Sequence, residues 1–260
     1  MKKSIIRVIS LALLLGLTVI GAASCAQTAD FIVGFDADFP PYGYIDDNGE
    51  YTGFDIELAK EVAMRNGWSI ELKAIDWDTK DFQLESGSIN CIWNGFTMTG
   101  REDDYTWSAA YVDNSQVIVT SSASGISSIS DLAGKTLAVQ SDSSAESVMT
   151  DEENPEMLTL TASLKELKRY PEYNTAFIAL ESGAVDAIAM DIGVAKYQIA
   201  SRTGFIMLDE ILATEQYGIG FLAGNTELRD AVSKTLKELM DDGTFDRLAE
   251  RFGIDGAIKW

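Results

Sequence analysis

From residue 31 onward the chain alternates short apolar runs with amphipathic stretches. Residues 31–35 form an apolar run of strand length. Residues 56–65 repeat apolar positions one turn apart, Leu58 with Val62 and Ala59 with Ala63, which predicts a helix. Asp55 near its start and Gly67 beyond its end stand where a cap and a stop are expected. Residues 70–75 alternate as a strand, 80–85 read as a second helix, and another strand runs into Cys91, Ile92 and Trp93. Strand, helix, strand, helix, strand predicts a parallel sheet covered by helices.

A Ser/Gly-rich segment, 121–130, interrupts this rhythm, which then begins again: a strand at 136–139, a helix from Ser144, a strand at 158–160, a helix at 175–180 and a strand at 187–190. Segments 117–120 and 212–217 are expected to cross between two lobes. Residues 217–222 then read as an added strand. Residues 226–240 read as a helix with Leu228, Val232, Leu236 and Leu239 on one face, and Phe245, Leu248 and Phe252 mark a last short amphipathic helix after the Asp242-Gly243 turn. The expected fold class is α/β with two lobes, each a mostly parallel sheet with flanking helices. Lobe 1 takes residues 30–120 and 213–260, and lobe 2 takes 121–212. Ligands of such sheets collect beyond the carboxyl ends of strands. Asn94, Ser143 and Asp191 directly follow predicted strands, so two lobes would set them across a cleft able to close by a hinge.

The first residues break the pattern. Lys2, Lys3 and Arg7 precede an apolar run, 8–20, and the small residues Gly21-Ala22-Ala23-Ser24 come before Cys25. This reads as a signal peptide, residues 1–24, removed on export. The run falls short of the ~20 apolar residues of a membrane span. Cys25 after small residues resembles a bacterial lipobox, with Ala22 where Leu, Val or Ile is usual, and residues 25–29 are expected to be a lipidated cysteine and tether. The resulting protein would be extracytoplasmic and lipid-anchored, with a secreted or soluble periplasmic form as the alternative.

With 41 acidic and 20 basic residues the chain carries a net charge of −21, and losing Lys2, Lys3 and Arg7 takes it to −24. That excess argues against nucleic acid as a partner. The chain has no histidine and two cysteines, Cys25 and Cys91, which are not expected to pair because one lies in the tether and the other on a buried strand. Neither a zinc site nor any other cofactor is expected.

In so acidic a chain, Asn94-Gly95-Phe96-Thr97-Met98-Thr99-Gly100-Arg101 stands out. A guanidinium among hydroxyls and glycines suits a carboxylate, through two parallel charge-assisted bonds and close backbone N–H groups. Pairing of Arg101 with Glu102 or Asp103 at the surface is the plain alternative. Asp191, a lone carboxylate ending an apolar strand, suits an ammonium. Together they suggest a pocket for an amino acid.

The motifs Gly53-Phe54-Asp55-Ile56-Glu57-Leu58-Ala59, Thr97-x-Thr99 with Arg101, Gln140-x-x-Ser143-Ser144, Asp186-Ala187 with Asp191, Tyr217-Gly218-Ile219, and Asn225-Thr226-Glu227-Leu228 through Asp242-Gly243-Thr244-Phe245 occur in this order. Together they resemble the polar amino acid family (family 3) of extracellular solute-binding proteins of bacterial ABC importers, over residues 31–253. The resemblance implies a two-lobed, type II periplasmic-binding-protein-like fold. It implies that Arg101 grips the ligand α-carboxylate, with backbone N–H groups near Thr97 and around Ser143 and Ser144. Asp191 and a carbonyl near Asn94 or Gly95 would hold the α-ammonium. Phe39 would stack on the ligand opposite Trp77, Asp36 would meet its side chain, and Phe96 completes the expected set. Trp93 and Met190 are placed in the core or along the pocket.

Two departures stand out: Thr99-Gly100-Arg101 is one residue shorter than the usual Thr-x-Thr-x-Glu-Arg, and Asp142 stands where glycine is frequent. The expected function is capture of a free polar, basic, amide or sulfur-containing amino acid by a monomer that delivers it to an ABC permease and its ATPase, without chemistry on the ligand. The alternatives are a cyclohexadienyl-dehydratase-like enzyme on the same fold, and a surface adhesin or sensor using the domain.

Overall fold

The structure, a computed structural model, describes residues 29–259. The expected signal peptide and nearly all of the tether, including Cys25, lie outside the described residues. Strands β1 (Phe31–Phe35), β2 (Asp38–Phe39), β3 (Gly43–Ile45) and β4 (Tyr51–Thr52) lead into helix α1 (Phe54–Asn66). Strand β5 (Ile70–Ala74), helix α2 (Lys80–Glu85), and strands β6 (Cys91–Thr97), β7 (Thr106–Trp107) and β8 (Val112–Ser121) follow. Next come β9 (Thr136–Gln140), α3 (Ser144–Thr150), α4 (Pro155–Ser163), β10 (Glu166–Tyr170), α5 (Tyr173–Glu181), β11 (Ala187–Asp191) and α6 (Ile192–Ala200). The long strand β12 (Phe205–Phe221), α7 (Thr226–Asp241) and α8 (Thr244–Phe252) complete the order.

One continuous sheet runs β10-β9-β11-β8-β12-β6-β1-β5, with β7 also on β12, and β2 to β4 form a small sheet of their own. At one end β5, β1 and β6 are parallel; at the other β10, β9 and β11 are parallel. The antiparallel pair β8 and β12 joins the two halves. Each half is therefore the predicted parallel sheet, and the chain is two-lobed.

Helix α1 forms as its apolar spacing requires: Phe54, Leu58, Ala59, Val62 and Ala63 are all buried on one stripe. It stops at Gly67, whose φ of 69° closes the last turn with a bond to Met64 O. Asp55 does not cap it. The cap position is Gly53, and the buried Asp55 carboxylate instead accepts the Gly95 N–H at 2.6 Å, tying α1 to β6.

Two further expectations change. Residues 158–160 lie in helix α4 rather than a strand, because Pro155 opens a helix and the Asn154 side chain accepts the N–H groups of Glu156 and Met157. The strand of that region is β10, an edge strand with few apolar residues. The segments read as a crossing strand and a separate added strand are one strand, β12. Its two register shifts against β8 let it turn from one half of the sheet into the other. Among the described residues no helix is long and apolar enough to cross a membrane.

Candidate functional site

Strand β6 continues past Trp93 to Thr97, so Asn94 lies inside the strand and not after it. Against β12, Phe96 pairs with Gly218 and Ile92 with Gly220, so β6 spends four residues where β12 spends two. Gly95 sits in this bulge at φ 56°. A bulge re-aims side chains, and here it brings the strand's last residues to the cleft. Trp93 and Met190 are fully buried in the main core cluster, and Asn94 is buried with no partner on its amide.

Gly100, at φ 81°, makes the tight turn that brings Arg101 back over its own strand. The Arg101 N–H bonds to Met98 O, its guanidinium lies 5.4 Å from the Phe96 ring centre, and Nη1 donates to Thr97 O at 3.4 Å. Among the described residues Arg101 makes no ion pair, so Glu102 and Asp103 are not its partners. The shortened loop is thus closed by a glycine, and apart from the Nη1 bond to Thr97 O the guanidinium has no acceptor among the described residues.

Across the cleft, Ser143 caps α3 by accepting the Glu146 N–H at 3.2 Å, which leaves the first-turn N–H groups at Ser144 and Ala145 outside the helix's own bonding. The Ser144 hydroxyl donates to Glu215, which also accepts from Thr97 Oγ1 at 2.8 Å. Asp191, at the end of β11, is buried and accepts from Tyr217 Oη at 2.5 Å and Tyr173 Oη at 3.3 Å. Burial, then the nearby Glu215 charge, pushes the Asp191 carboxyl up to about 7.

Asp36, just beyond β1, is buried and accepts the Gln140 amide at 2.6 Å across the cleft, and burial pushes it up to about 6. Asp38 accepts from the Asn174 side chain, again across the cleft, and burial followed by the Asp36 charge pushes it up to about 7. Phe39 packs on Tyr42 and Tyr173, with ring centres 5.9 and 6.0 Å away, while Trp77 packs edge-on against Phe96 at 5.5 Å. A cavity of about 750 Å³ opens at the cleft edge, lined in part by Asp36, Asp38, Lys73, Asp76, Glu172 and Asn174.

The structure therefore brings Thr97, Ser144 and Asp191 into one polar network and keeps Arg101 beside it on Thr97. Asp36 and Phe39 stand at the other side of the closure, and Trp77 belongs to the Phe96 cluster. Sequence reading missed Glu215, Asn114 and Gln116, which link that network. Their signal was polar residues two apart in strands: Asn114 and Gln116 share one face of β8, and Glu215 and Tyr217 one face of β12.

Residues 31–255 match the profile of the bacterial extracellular solute-binding proteins, family 3. The L-cystine-binding protein TcyJ of Escherichia coli (strain K12) is 26% identical over 98% of this chain and 96% of its own length. The arginine-binding extracellular protein ArtP of Bacillus subtilis (strain 168) is 28% identical over 97% of this chain and 98% of its own. Among solved structures, an ABC uptake transporter substrate-binding protein from Streptococcus pneumoniae with bound histidine superposes with a TM-score of 0.82 at 33% identity, covering 88% of this chain and 94% of that one. The architecture, the cleft between its lobes and the match over nearly the whole described chain converge: the chain belongs to the bacterial extracellular solute-binding proteins, family 3.

Proposed function

We propose that this protein captures a free amino acid between its lobes and delivers it to an ABC permease powered by a separate ATPase. The observation that carries this reading is the guanidinium of Arg101, which makes no ion pair among the described residues and rests on Thr97 O at a cleft whose other wall offers a helix N-terminus and the buried Asp191. A carboxylate would lie between Arg101 and the start of α3, and an ammonium at Asp191. Residues 30–120 with 213–260 form one lobe and 121–212 the other, hinged where β8 and β12 run side by side. Relatives named for cystine and arginine, and a solved neighbour holding histidine, support an amino acid as the solute class. The acidic cavity lining favours a ligand with a basic or amide side chain. Gln140, Asp36 and Phe39 would surround that side chain. The sequence around Cys25 supports a lipid anchor that holds the protein, outside the cytoplasm, to the bacterial membrane.

A thermal-shift screen against the common amino acids, cystine, ornithine and prephenate tests the reading, because a ligand bound only by the folded state raises the melting temperature. A rise confined to one or a few amino acids is the expected result. A rise with prephenate alone would turn the reading toward an enzyme.

A further inference from the structure

At the base of the cleft the charges do not balance. Asp191 and Glu215 are only 4% and 5% exposed. Asn114 Nδ2 lies 2.8 Å from Asp191 Oδ1 and 2.6 Å from Glu215 Oε1, and Gln116 Nε2 lies 2.8 and 2.9 Å from the same two oxygens. The two carboxylates thus share two amide nitrogens, each has two hydroxyl donors besides, and among the described residues neither makes an ion pair. The oxygens of those same amides, Asn114 Oδ1 and Gln116 Oε1, are buried without any donor. Among the described residues the group contains no cation. Buried like charges need a counter-charge or a proton.

We propose that Glu215 is a direct ligand contact, forming with Asp191 a two-carboxylate seat for the α-ammonium of the captured amino acid. This rests on the amino acid reading above and adds the residue that reading lacks. An ammonium has three N–H donors, one for each carboxylate and one for an amide oxygen that now has none. Glu215 also explains why the Thr97 and Ser144 hydroxyls turn inward: they hold its carboxylate from both sides of the cleft. The ligand carboxylate is left to Arg101 and backbone N–H groups.

The seat ties binding to protons. With Asp191 pushed up to about 7 by burial and then by Glu215, the empty pair holds a proton near neutral pH. Tyr42, Tyr173 and Tyr217 also face the pair, and burial keeps all three phenols neutral. The charge of Asp55 also acts on Tyr42, and among the described residues the Arg101 guanidinium lies on the Phe96 ring and donates to the carbonyl of Thr97. Seating an ammonium ionises Asp191, and its proton leaves to the solvent.

Calorimetry of the protein with the common L-amino acids, cystine and ornithine, in two buffers of different ionisation enthalpy, tests this. The expected result is release of up to about one proton per ligand near neutral pH, with affinity rising as pH rises through about 7. Glu215→Gln should bind about tenfold or more weakly and release far less proton; Glu215→Asp, which keeps the charge, should recover part of both. Parent-like affinity in Glu215→Gln, or weaker binding with the parent's proton release, would overturn the seat and leave the amino acid reading standing. Binding of no amino acid by the parent would sink that reading and the seat with it. Should Glu215→Gln fail to fold, the parent and Glu215→Asp decide: binding without proton release in the parent overturns the proposal.

Discussion

The ammonium of Lys80, at the start of α2, pairs with the carboxylate of Asp142, just after β9, so that one ion pair bridges the cleft. The Lys80 side chain is 2% exposed and lies 5.3 Å from the Trp77 ring centre, whereas Asp142 is 48% exposed. Asp142 holds φ 57°, a left-handed conformation in which glycine is at ease and aspartate is tolerated. The family's frequent glycine at this position has a backbone reason, and the aspartate here adds a charge where a buried lysine needs one. Its carboxylate turns toward Lys80.

Asp142→Gly would relax the backbone and strip Lys80 of its partner. Because half of the pair faces water, the expected cost to closure is about 1 kcal/mol, roughly three- to tenfold in ligand affinity. Small-angle scattering of the ligand-free variant should show a larger radius of gyration than the parent. An unchanged radius and affinity would remove the ion pair from the closure mechanism.

Arg101→Ala should weaken amino acid binding by about a hundredfold or more, ~3 kcal/mol, through loss of a charge-assisted fork. Because Arg101 makes no ion pair among the described residues, the melting temperature should stay near that of the parent. Arg101→Lys should recover little, since a point charge does not reproduce the planar fork. Titration calorimetry reads both affinities and thermal melting the stability, and parent-like binding by the alanine variant would place the carboxylate contact elsewhere.

The ligand-free protein should be more stable at about pH 5 than at about pH 7.5. Asp36, Asp55 and Asp191 are pushed up to about 6, 7 and 7, each mainly by burial, from an ordinary value of 3.8. A carboxyl whose folded pKa lies above its unfolded value binds more protons when folded, so stability falls as pH rises from about 4 through about 7. Urea midpoints across that range measure it, and a midpoint that climbed with pH would show these groups to be compensated.

Gly95→Ala should destabilise the fold by about 1–3 kcal/mol. A Cβ there would meet Phe39 Cε1 at 2.9 Å and Tyr217 Cε2 at 3.0 Å, and φ is 56°. Thermal melting of the variant provides the check; a parent-like melting temperature would mean that the bulge and its two rings can shift freely.

Much of this architecture is local in origin and legible residue by residue. The stripe of α1, the apolar runs of β1, β9 and β11, and the amphipathic α7 and α8 follow from side-chain period, which depends only on neighbours in sequence. Arg101 was legible for a related reason: one cation among hydroxyls and glycines is a local pattern, as is a carboxylate closing an apolar strand at Asp191. Helix α4 shows the limit, since its apolar residues fit a short strand and the proline and asparagine that cap it were the better signal.

The set of elements, their alternation into two parallel half-sheets, and the chemical type of the two groups proposed to grip the ligand are therefore written in local sequence. Tertiary structure alone decided that β12 runs unbroken between the halves, that Asp55 ties α1 to β6, and that Asp191, Glu215, Asn114 and Gln116 meet in one buried group. Glu215 stands 24 residues from Asp191 and 101 from Asn114. No periodicity links such positions. Their partnership is set by register across β8 and β12 and by burial, which makes an unbalanced carboxylate pair matter only once water has been removed from around it.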